Sequence, residues 1–158
     1  MKVSPVQTSM SGFTRVNPLV WYISVGLLVV ADITSRIVCF SYCNISIGDY
    51  LGLHPFKNQY FAFSIPLPAW SMYALYGVVL SILISHIARQ WTVFSRNQKT
   101  AWILILAGSS VNVGERIFSG YVRDFIQIGT GYLNMGDIYI LIGVAYLLWH
   151  NFMRANTK

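Results

Sequence analysis

The stretch Leu19–Tyr42, LVWYISVGLLVVADITSRIVCFSY, decides the fold class of this chain. A helix needs about 20 apolar residues to cross a bilayer, and this run exceeds that length. It also carries Asp32 and Arg36, which are four positions apart and therefore share one face of a helix. We interpret it as a membrane-spanning helix. Its length, its two charges and the lack of a small-residue cleavage site argue against a cleavable signal peptide.

The composition of the whole chain agrees with this interpretation. Hydrophobic residues make up 55% of the sequence and charged residues only 10%, whereas a soluble domain carries roughly a quarter charged residues. We therefore predict an all-α integral membrane protein in which residues 1–158 form a single membrane domain. Four transmembrane helices are predicted, at about 19–42, 67–88, 100–116 and 137–153. The segments 43–66 and 117–136 are predicted to form a small loop or β platform at the outer face.

The basic residues predict the orientation of the chain. Seven of its eleven Lys and Arg residues fall on one side of the predicted helices: Lys2, Arg15, Arg89, Arg96, Lys99, Arg154 and Lys158. Basic loops lie in the cytoplasm, so both termini are predicted to be cytoplasmic. This topology, together with contacts to membrane lipids, accounts for the net charge of +6, and no nucleic-acid partner is predicted.

The polar residues then converge on the outer face. The first and third helices run outward and the fourth runs inward, so four separate stretches bring polar groups to the same end. Those groups are Asp32 and Arg36, then Asn58, then Asn112, Glu115 and Arg116, and finally Asn134 and Asp137. Ionisable groups near a bilayer are costly and indicate a function or a partner.

Two aspartates, Asp124 and Asp137, are thirteen positions apart in a chain with only five acidic residues. Brought to one membrane edge, they predict a carboxylate pair for acid/base chemistry. Two simpler interpretations stay open at this point. Asp124 could pair with Arg123 or Arg116, and Asp137 could be an N-terminal helix charge that the helix dipole favours.

The sequence lacks the residue patterns that other catalytic mechanisms require. Ser109 and Ser110 have no nearby Lys or His to activate them, so a serine mechanism is not expected. Cys39 and Cys43 are interpreted as packing residues. No zinc-ligand spacing and no phosphate-binding glycine loop is present, and no metal or organic cofactor is expected.

Four ordered motif blocks resemble a known family. They are Asp32-Ile-Thr-Ser35-Arg36, Asn58-x-x-x-Ala62-Phe63, Asn112-x-x-Glu115-Arg116 with Gly120-x-Val122-x-Asp124-Phe125, and Asn134-x-Gly136-Asp137. Together these blocks are similar to those of lipoprotein signal peptidase (signal peptidase II), and the resemblance runs from about Val30 to Gly143. Members of that family are four-helix aspartyl proteases of the bacterial inner (plasma) membrane. They remove signal peptides from prolipoproteins just before a diacylglyceryl-modified cysteine.

The resemblance implies a role for each matching residue. Asp124 and Asp137 match the catalytic dyad. Asn58, Asn112, Arg116 and Asn134 match substrate-binding or supporting positions, and Asp32, Arg36 and Glu115 match structural ones. A monomer without a cofactor is implied, acting on diacylglyceryl-modified prolipoproteins among membrane lipids. The alternatives are a non-catalytic membrane scaffold that binds lipids or lipoproteins, and a small transporter, which the gathering of charges at one face disfavours.

The chain also departs from the family pattern. Arg36 stands where the family usually has Lys, Tyr60 where it has Gly, and Glu115 where it has Asp. Leu133 and Gly136 replace Phe and Ala, and the segment between the two aspartates is shorter than usual. These changes indicate a divergent member. Glu115 could form a structural ion pair with Arg116, or Arg116 could contact the substrate.

Overall fold

Four helices and four short strands make up the fold. The computed structural model describes residues 18–59 and 68–156. The helices are α1 (Pro18–Tyr42), α2 (Ala69–Gln90), α3 (Arg96–Ser119) and α4 (Met135–Asn156), and the strands are β1 (Ile45–Ile47), β2 (Leu51–Asn58), β3 (Val122–Ile128) and β4 (Gly131–Leu133). The predictions that involve residues 1–17, Tyr60, Ala62, Phe63 and Lys158 lie outside the described residues.

Helix α3 is longer than the sequence predicts, at both ends. It begins at Arg96 because Ser95 and Gln98 form a capping box, with the Ser95 side chain accepting from the Gln98 N–H and the Gln98 side chain accepting from the Ser95 N–H. It ends at Gly120, which adopts a left-handed conformation with φ 77°. The helix therefore starts about one turn before the start of the predicted range of 100–116.

Three of the four described helices are long and apolar enough to cross a membrane: Leu19–Tyr42, Trp70–Gln90 and Met135–Asn156. Their outward side chains are apolar, for example Leu27, Ile82 and Leu148, which are exposed by 65%, 62% and 65%. This is the arrangement of a helix whose solvent is lipid. This arrangement agrees with the prediction of a membrane protein. Of the four helices predicted to cross the membrane, three are long and apolar enough to do so.

Helix α3 is less apolar than these three helices and is not among the candidate membrane spans of the described residues. Its position in the fold explains why it can be more polar. It packs against α4 and α1 and buries a row of side chains that includes Ile103, Ile105 and Val111. A helix that neighbouring helices cover does not need an apolar surface, so α3 can carry Glu115 and Arg116 in its last turns.

The predicted platform is a four-stranded antiparallel sheet with the order β1-β2-β3-β4. All-α therefore describes only the helical part of the protein. In the β2–β3 pair, Phe56 lies opposite Asp124 and Asn58 lies opposite Val122. Because residues two apart on a strand face the same side, Asn58 and Asp124 are diagonal neighbours on one face of the sheet.

A chain of side-chain hydrogen bonds crosses the β1–β2 hairpin. The His54 ring lies 3.1 Å from Ser46 Oγ through Nε2 and 2.9 Å from Asn44 Oδ1 through Nδ1. These groups lie at the solvent-exposed side of the sheet, so we assign them to the stability of the hairpin.

Helices α3 and α4 approach closely enough for their backbones to touch. A side chain at Gly108 would collide with the main-chain carbonyl of Gly136, and one at Gly143 would lie 2.6 Å from the carbonyl oxygen of Ala101. Small residues allow this approach between membrane helices. It brings the C-terminal half of α3, with Asn112, beside the first turn of α4.

Candidate active site

Asp124 is a buried carboxylate held by two amide donors. It lies on β3 with 1% of its surface exposed. Asn58 Nδ2 donates to Asp124 Oδ2 at 2.9 Å, and Asn134 Nδ2 donates to Asp124 Oδ1 at 2.6 Å. The described partners of Asp124 are thus two asparagines. Arg123, which the sequence left open as a partner, donates to Glu115 instead.

Asp137 lies in the first turn of α4 and caps that helix together with Asn134. Asn134 Oδ1 accepts from the Asp137 N–H at 2.9 Å, and Asp137 Oδ2 accepts from the Asn134 N–H at 3.1 Å. This reciprocal pair is a capping box with Asp in the position usually held by Glu or Gln. Asn112 Nδ2 also donates to Asp137 Oδ1 at 2.8 Å. Asp137 is thus an acidic residue in the first turn of a helix, as the helix-dipole interpretation predicts, and this position is compatible with a role in acid/base chemistry.

The two aspartates meet through Asn134, which contacts both carboxylates. Burial raises the pKa of Asp124 to about 6, and the negative charge of Asp137 contributes in the same direction. The hydrogen bonds from Asn134 and Asn58 oppose that rise in the pKa of Asp124. Like charges disfavour each other's ionised form, so the charge of Asp137 makes ionisation of Asp124 less favourable.

Arg36 lies at the centre of the polar network and is fully buried. Its Nε and Nη2 donate to Asp32 Oδ1 and Oδ2, both at 2.9 Å, and its Nη1 donates to Glu115 Oε2 at 2.7 Å. Nη2 also lies 2.7 Å from both Asn112 Oδ1 and Asn134 Oδ1. One side chain of α1 therefore connects α3 to the start of α4.

The charges at this end of the molecule are almost balanced. The buried or ion-paired cluster contains four of the five acidic residues of the chain and three arginines: Asp32, Glu115, Asp124, Asp137, Arg36, Arg116 and Arg123. Lys57 on β2 is exposed and does not belong to this cluster. Four negative and three positive charges sum to −1 if every carboxylate is ionised. A single proton on the aspartate pair makes the cluster neutral, which is the state that burial favours.

Arg116 lies at the edge of the cluster, between α3 and α2. Its Nη1 donates to the Asn112 main-chain oxygen at 3.3 Å, and its guanidinium lies 5.5 Å from the centroid of the Tyr76 ring. Tyr73 Oη donates to the Arg116 main-chain oxygen at 3.0 Å. The ion pairs described for Glu115 are with Arg36 and Arg123, so the expected Glu115–Arg116 pair is replaced by these two.

All nine residues singled out from the sequence lie at this end, but sequence reasoning missed several of their neighbours. Tyr73 and Tyr76 are three positions apart on α2, a spacing that could have indicated a shared face. For Arg123, nothing in one sequence indicates that it turns to Glu115 and away from Asp124.

The chain is similar to known proteins over most of its length. The family described as signal peptidase (SPase) II matches residues 24–153 of the chain. The lipoprotein signal peptidase of Salmonella typhi is 23% identical over 148 residues, covering 84% of this chain and 88% of its own length. That of Shigella flexneri serotype 5b is 23% identical over 153 residues, covering 87% and 92%.

Solved structures show the same fold. One bacterial membrane enzyme superposes with a TM-score of 0.74 at 18% identity, covering 89% of this chain and 92% of the other. A second bacterial membrane enzyme superposes with a TM-score of 0.68 at 19% identity, covering 84% and 92%.

Proposed function

Because this chain belongs to the signal peptidase II family, we propose that it is a membrane endopeptidase that removes signal peptides from prolipoproteins, with Asp124 and Asp137 as its catalytic pair. The observation that carries the proposal is the buried aspartate pair whose two carboxylates share Asn134. An ordinary surface or capping carboxylate has no need of two amide donors in a buried site, as Asp124 has.

The chemistry follows from one proton shared by the pair. The ionised carboxylate takes a proton from a water molecule, whose oxygen adds to the carbonyl carbon of the scissile peptide bond. The protonated carboxyl group donates to the carbonyl oxygen and stabilises the tetrahedral intermediate. On collapse, the C–N bond breaks and the leaving amine takes a proton from the pair. The aspartates titrate together, so we assign neither to a single role.

The supporting residues would keep the two carboxylates in place. Asn58 and Asn134 hold both oxygens of Asp124, and Asn112 holds one oxygen of Asp137. Fixed donors reduce the reorganisation that the reaction requires. Arg116, whose guanidinium lies between α3 and the Tyr76 ring of α2, would support the end of α3 that carries Asn112.

We further propose the family's substrate class and orientation for this chain. The exposed apolar surfaces of α1, α2 and α4 suit a substrate that carries acyl chains on a cysteine and a signal helix in the bilayer. Four basic residues, Arg89, Arg96, Lys99 and Arg154, lie at helix ends away from the site. Together with Lys2, Arg15 and Lys158 of the sequence, they support cytoplasmic termini and a site at the outer face of the plasma membrane. We also propose a monomer as the active unit, since one chain supplies both aspartates and the three asparagines that hold them. A reporter enzyme fused after Lys158 tests the orientation of the C-terminus.

The test of this function is cleavage of a purified prolipoprotein in detergent, followed by gel shift. We expect cleavage when the substrate cysteine carries a diacylglyceryl group, and at least about 100-fold slower cleavage of the unmodified substrate, since the remote binding energy of the acyl chains is lost. Binding of several lipidated substrates without cleavage would support the non-catalytic scaffold and contradict the proposal.

The pKa of Asp124 predicts the pH dependence of cleavage. A carboxyl group with a pKa of about 6 is protonated below that pH and ionised above it. The pair needs one proton, so we expect kcat/KM to fall as the pH rises through the pKa of the pair. Substitution of Asn58→Ala removes a donor that stabilises ionised Asp124, and this raises the pKa further. The alkaline limb of the profile should then move to higher pH.

A matched control is Asn44→Ala, which removes an exposed amide from the hairpin, where it contacts His54. The alkaline limb of the pH profile of this variant should lie at the same pH as in the wild type. An Asn58→Ala limb that stays in place or moves to lower pH would contradict the contact between Asn58 and the active pair.

A further inference from the structure

Arg36 holds the oxygen ends of two asparagine side chains at once. Its Nη2 lies 2.7 Å from Asn112 Oδ1 and 2.7 Å from Asn134 Oδ1. An amide oxygen accepts and an amide nitrogen donates. A guanidinium, which only donates, therefore fixes which end of each amide faces it.

The opposite ends of the same two amides face the aspartates. Asn112 Nδ2 donates to Asp137 Oδ1 at 2.8 Å, and Asn134 Nδ2 donates to Asp124 Oδ1 at 2.6 Å. Reversing either amide would place its NH₂ against the guanidinium and its oxygen against a carboxylate. Each asparagine is thus held between a cation and an anion, and Arg36 is one residue removed from both aspartates.

Gly136 makes room for this guanidinium. A Cβ built at Gly136 would lie 2.9 Å from Arg36 Nη2, 2.8 Å from Asp32 Oδ2 and 3.0 Å from Asn134 Oδ1. All three distances are shorter than an ordinary van der Waals contact of a carbon atom. Of the three atoms concerned, the nitrogen donates a hydrogen bond to each of the two oxygens. No rotation of a free side-chain end relieves the clash, because Arg36 is fully buried and bonded through all three of its nitrogens.

We propose that Arg36 is a positioning residue that orients Asn112 and Asn134 towards the two aspartates, and that Gly136 and Arg36 depend on each other because the guanidinium occupies the space a side chain at 136 would need. The proposal rests on the proposed function, whose reaction the two aspartates carry out. A Cβ at position 136 would also approach Asp32 Oδ2 and Asn134 Oδ1, which Arg36 Nη2 holds in place. The proposal therefore predicts that a methyl group at position 136 does far more harm while a guanidinium at position 36 holds these two oxygens than when it is absent.

Four proteins test this dependence: the wild type, Gly136→Ala, Arg36→Lys and the double variant. Displacing the guanidinium should lower kcat of Gly136→Ala by about 100-fold with a smaller change in KM, because small misplacements of reacting groups have effects of that order. An ammonium has three donors where the guanidinium has five, so Arg36→Lys should itself be slower. In that background, adding Gly136→Ala should change kcat by less than about 3-fold, which is strongly non-additive.

The control is Gly114→Ala. Gly114 lies next to Glu115 in the same helix, and a Cβ there meets nothing within 4 Å, so its kcat should equal that of the wild type. Equal fold-losses from Gly136→Ala in both backgrounds would overturn the proposal, since Gly136 would then act through Asp32 or the backbone alone.

The pH profile of kcat/KM distinguishes a positioning role of Arg36 from a purely structural one. Lysine keeps the positive charge at position 36 but does not hold both amides in place. Amides that are no longer held disfavour ionised Asp124 and raise its pKa, so Arg36→Lys should move the alkaline limb of the pH profile to higher pH. A lower yield of folded protein with an alkaline limb at the wild-type pH would overturn the positioning role.

If the wild type cleaves no lipidated substrate, the proposed function fails. The dependence of residue 136 on residue 36 is then judged from the melting temperatures of the same four proteins, where additive shifts would refute it.

Discussion

Cleavage of a lipidated prolipoprotein is expected to fall by about 10⁴-fold or more in both Asp124→Asn and Asp137→Asn, because members of a catalytic unit fail together when one is removed. An amide in either position cannot take a proton from water, and it cannot share a proton with the remaining carboxylate. The substitutions nearly preserve side-chain volume, so the helices and sheet should remain folded. Purified proteins in detergent, assayed by gel shift with their melting temperatures recorded, provide the measurement.

The chain contains its own matched control for this experiment. Asp49 is the one acidic residue that lies apart from the cluster, exposed at the β1–β2 turn. Asp49→Asn makes the same chemical change and should leave cleavage at the wild-type rate. Residual cleavage above about 10% in either active-site variant would remove that aspartate from the mechanism.

Asn134 is expected to show the second largest effect, because it has two separable roles. Its Oδ1 caps α4 by accepting from the Asp137 N–H, and its Nδ2 donates to Asp124. Asn134→Ala removes both, and we expect kcat to fall by about 10²- to 10³-fold, as for loss of a fixed active-site donor. The melting temperature should also fall, since loss of an N-cap destabilises by roughly 1 kcal/mol.

Asn134→Ser separates the two roles. A serine hydroxyl is a good N-cap, so this variant should recover the part of the lost melting temperature that comes from the cap, but not the part that comes from the buried bonds to Arg36 and Asp124. It is too short to replace the amide between Arg36 and Asp124, so kcat should stay low. Recovery of cleavage together with stability would show that Asn134 contributes only as a helix cap.

Several features of the site could be predicted from one sequence. Charged residues in an apolar chain stand out, and helix direction follows from the basic loops, so the order of residues alone assigns Asp32, Arg36, Asn112 and Asp137 to one end of the molecule. The boundaries of α1 follow from its apolar run, and the ordered motif blocks indicate the family. Each of these signals is local along the chain, or depends only on which side of a membrane a segment lies.

Which side chain contacts which could not be predicted. The sequence left Asp124 with Arg123 or Arg116 as partners, and the fold gives it Asn58 and Asn134, since the β2–β3 register sets Asn58 diagonal to it. Glu115 turns to Arg36 and Arg123. Those choices depend on register, helix rotation and the competition of several donors for one acceptor.

The sequence by itself determined that this chain is a membrane protein, that its polar residues gather at one end, and that two aspartates are the candidates for chemistry. Only the tertiary structure decided that α3 is covered by α1 and α4 and can therefore carry charges, and that Gly136 leaves the space in which Arg36 reaches both asparagines. The physical reason is that these two kinds of property depend on interactions of different range along the chain. Hydropathy and charge act on each segment in its solvent, whereas the orientation of a buried amide is set by groups from three distant parts of the chain that meet only when the helices pack.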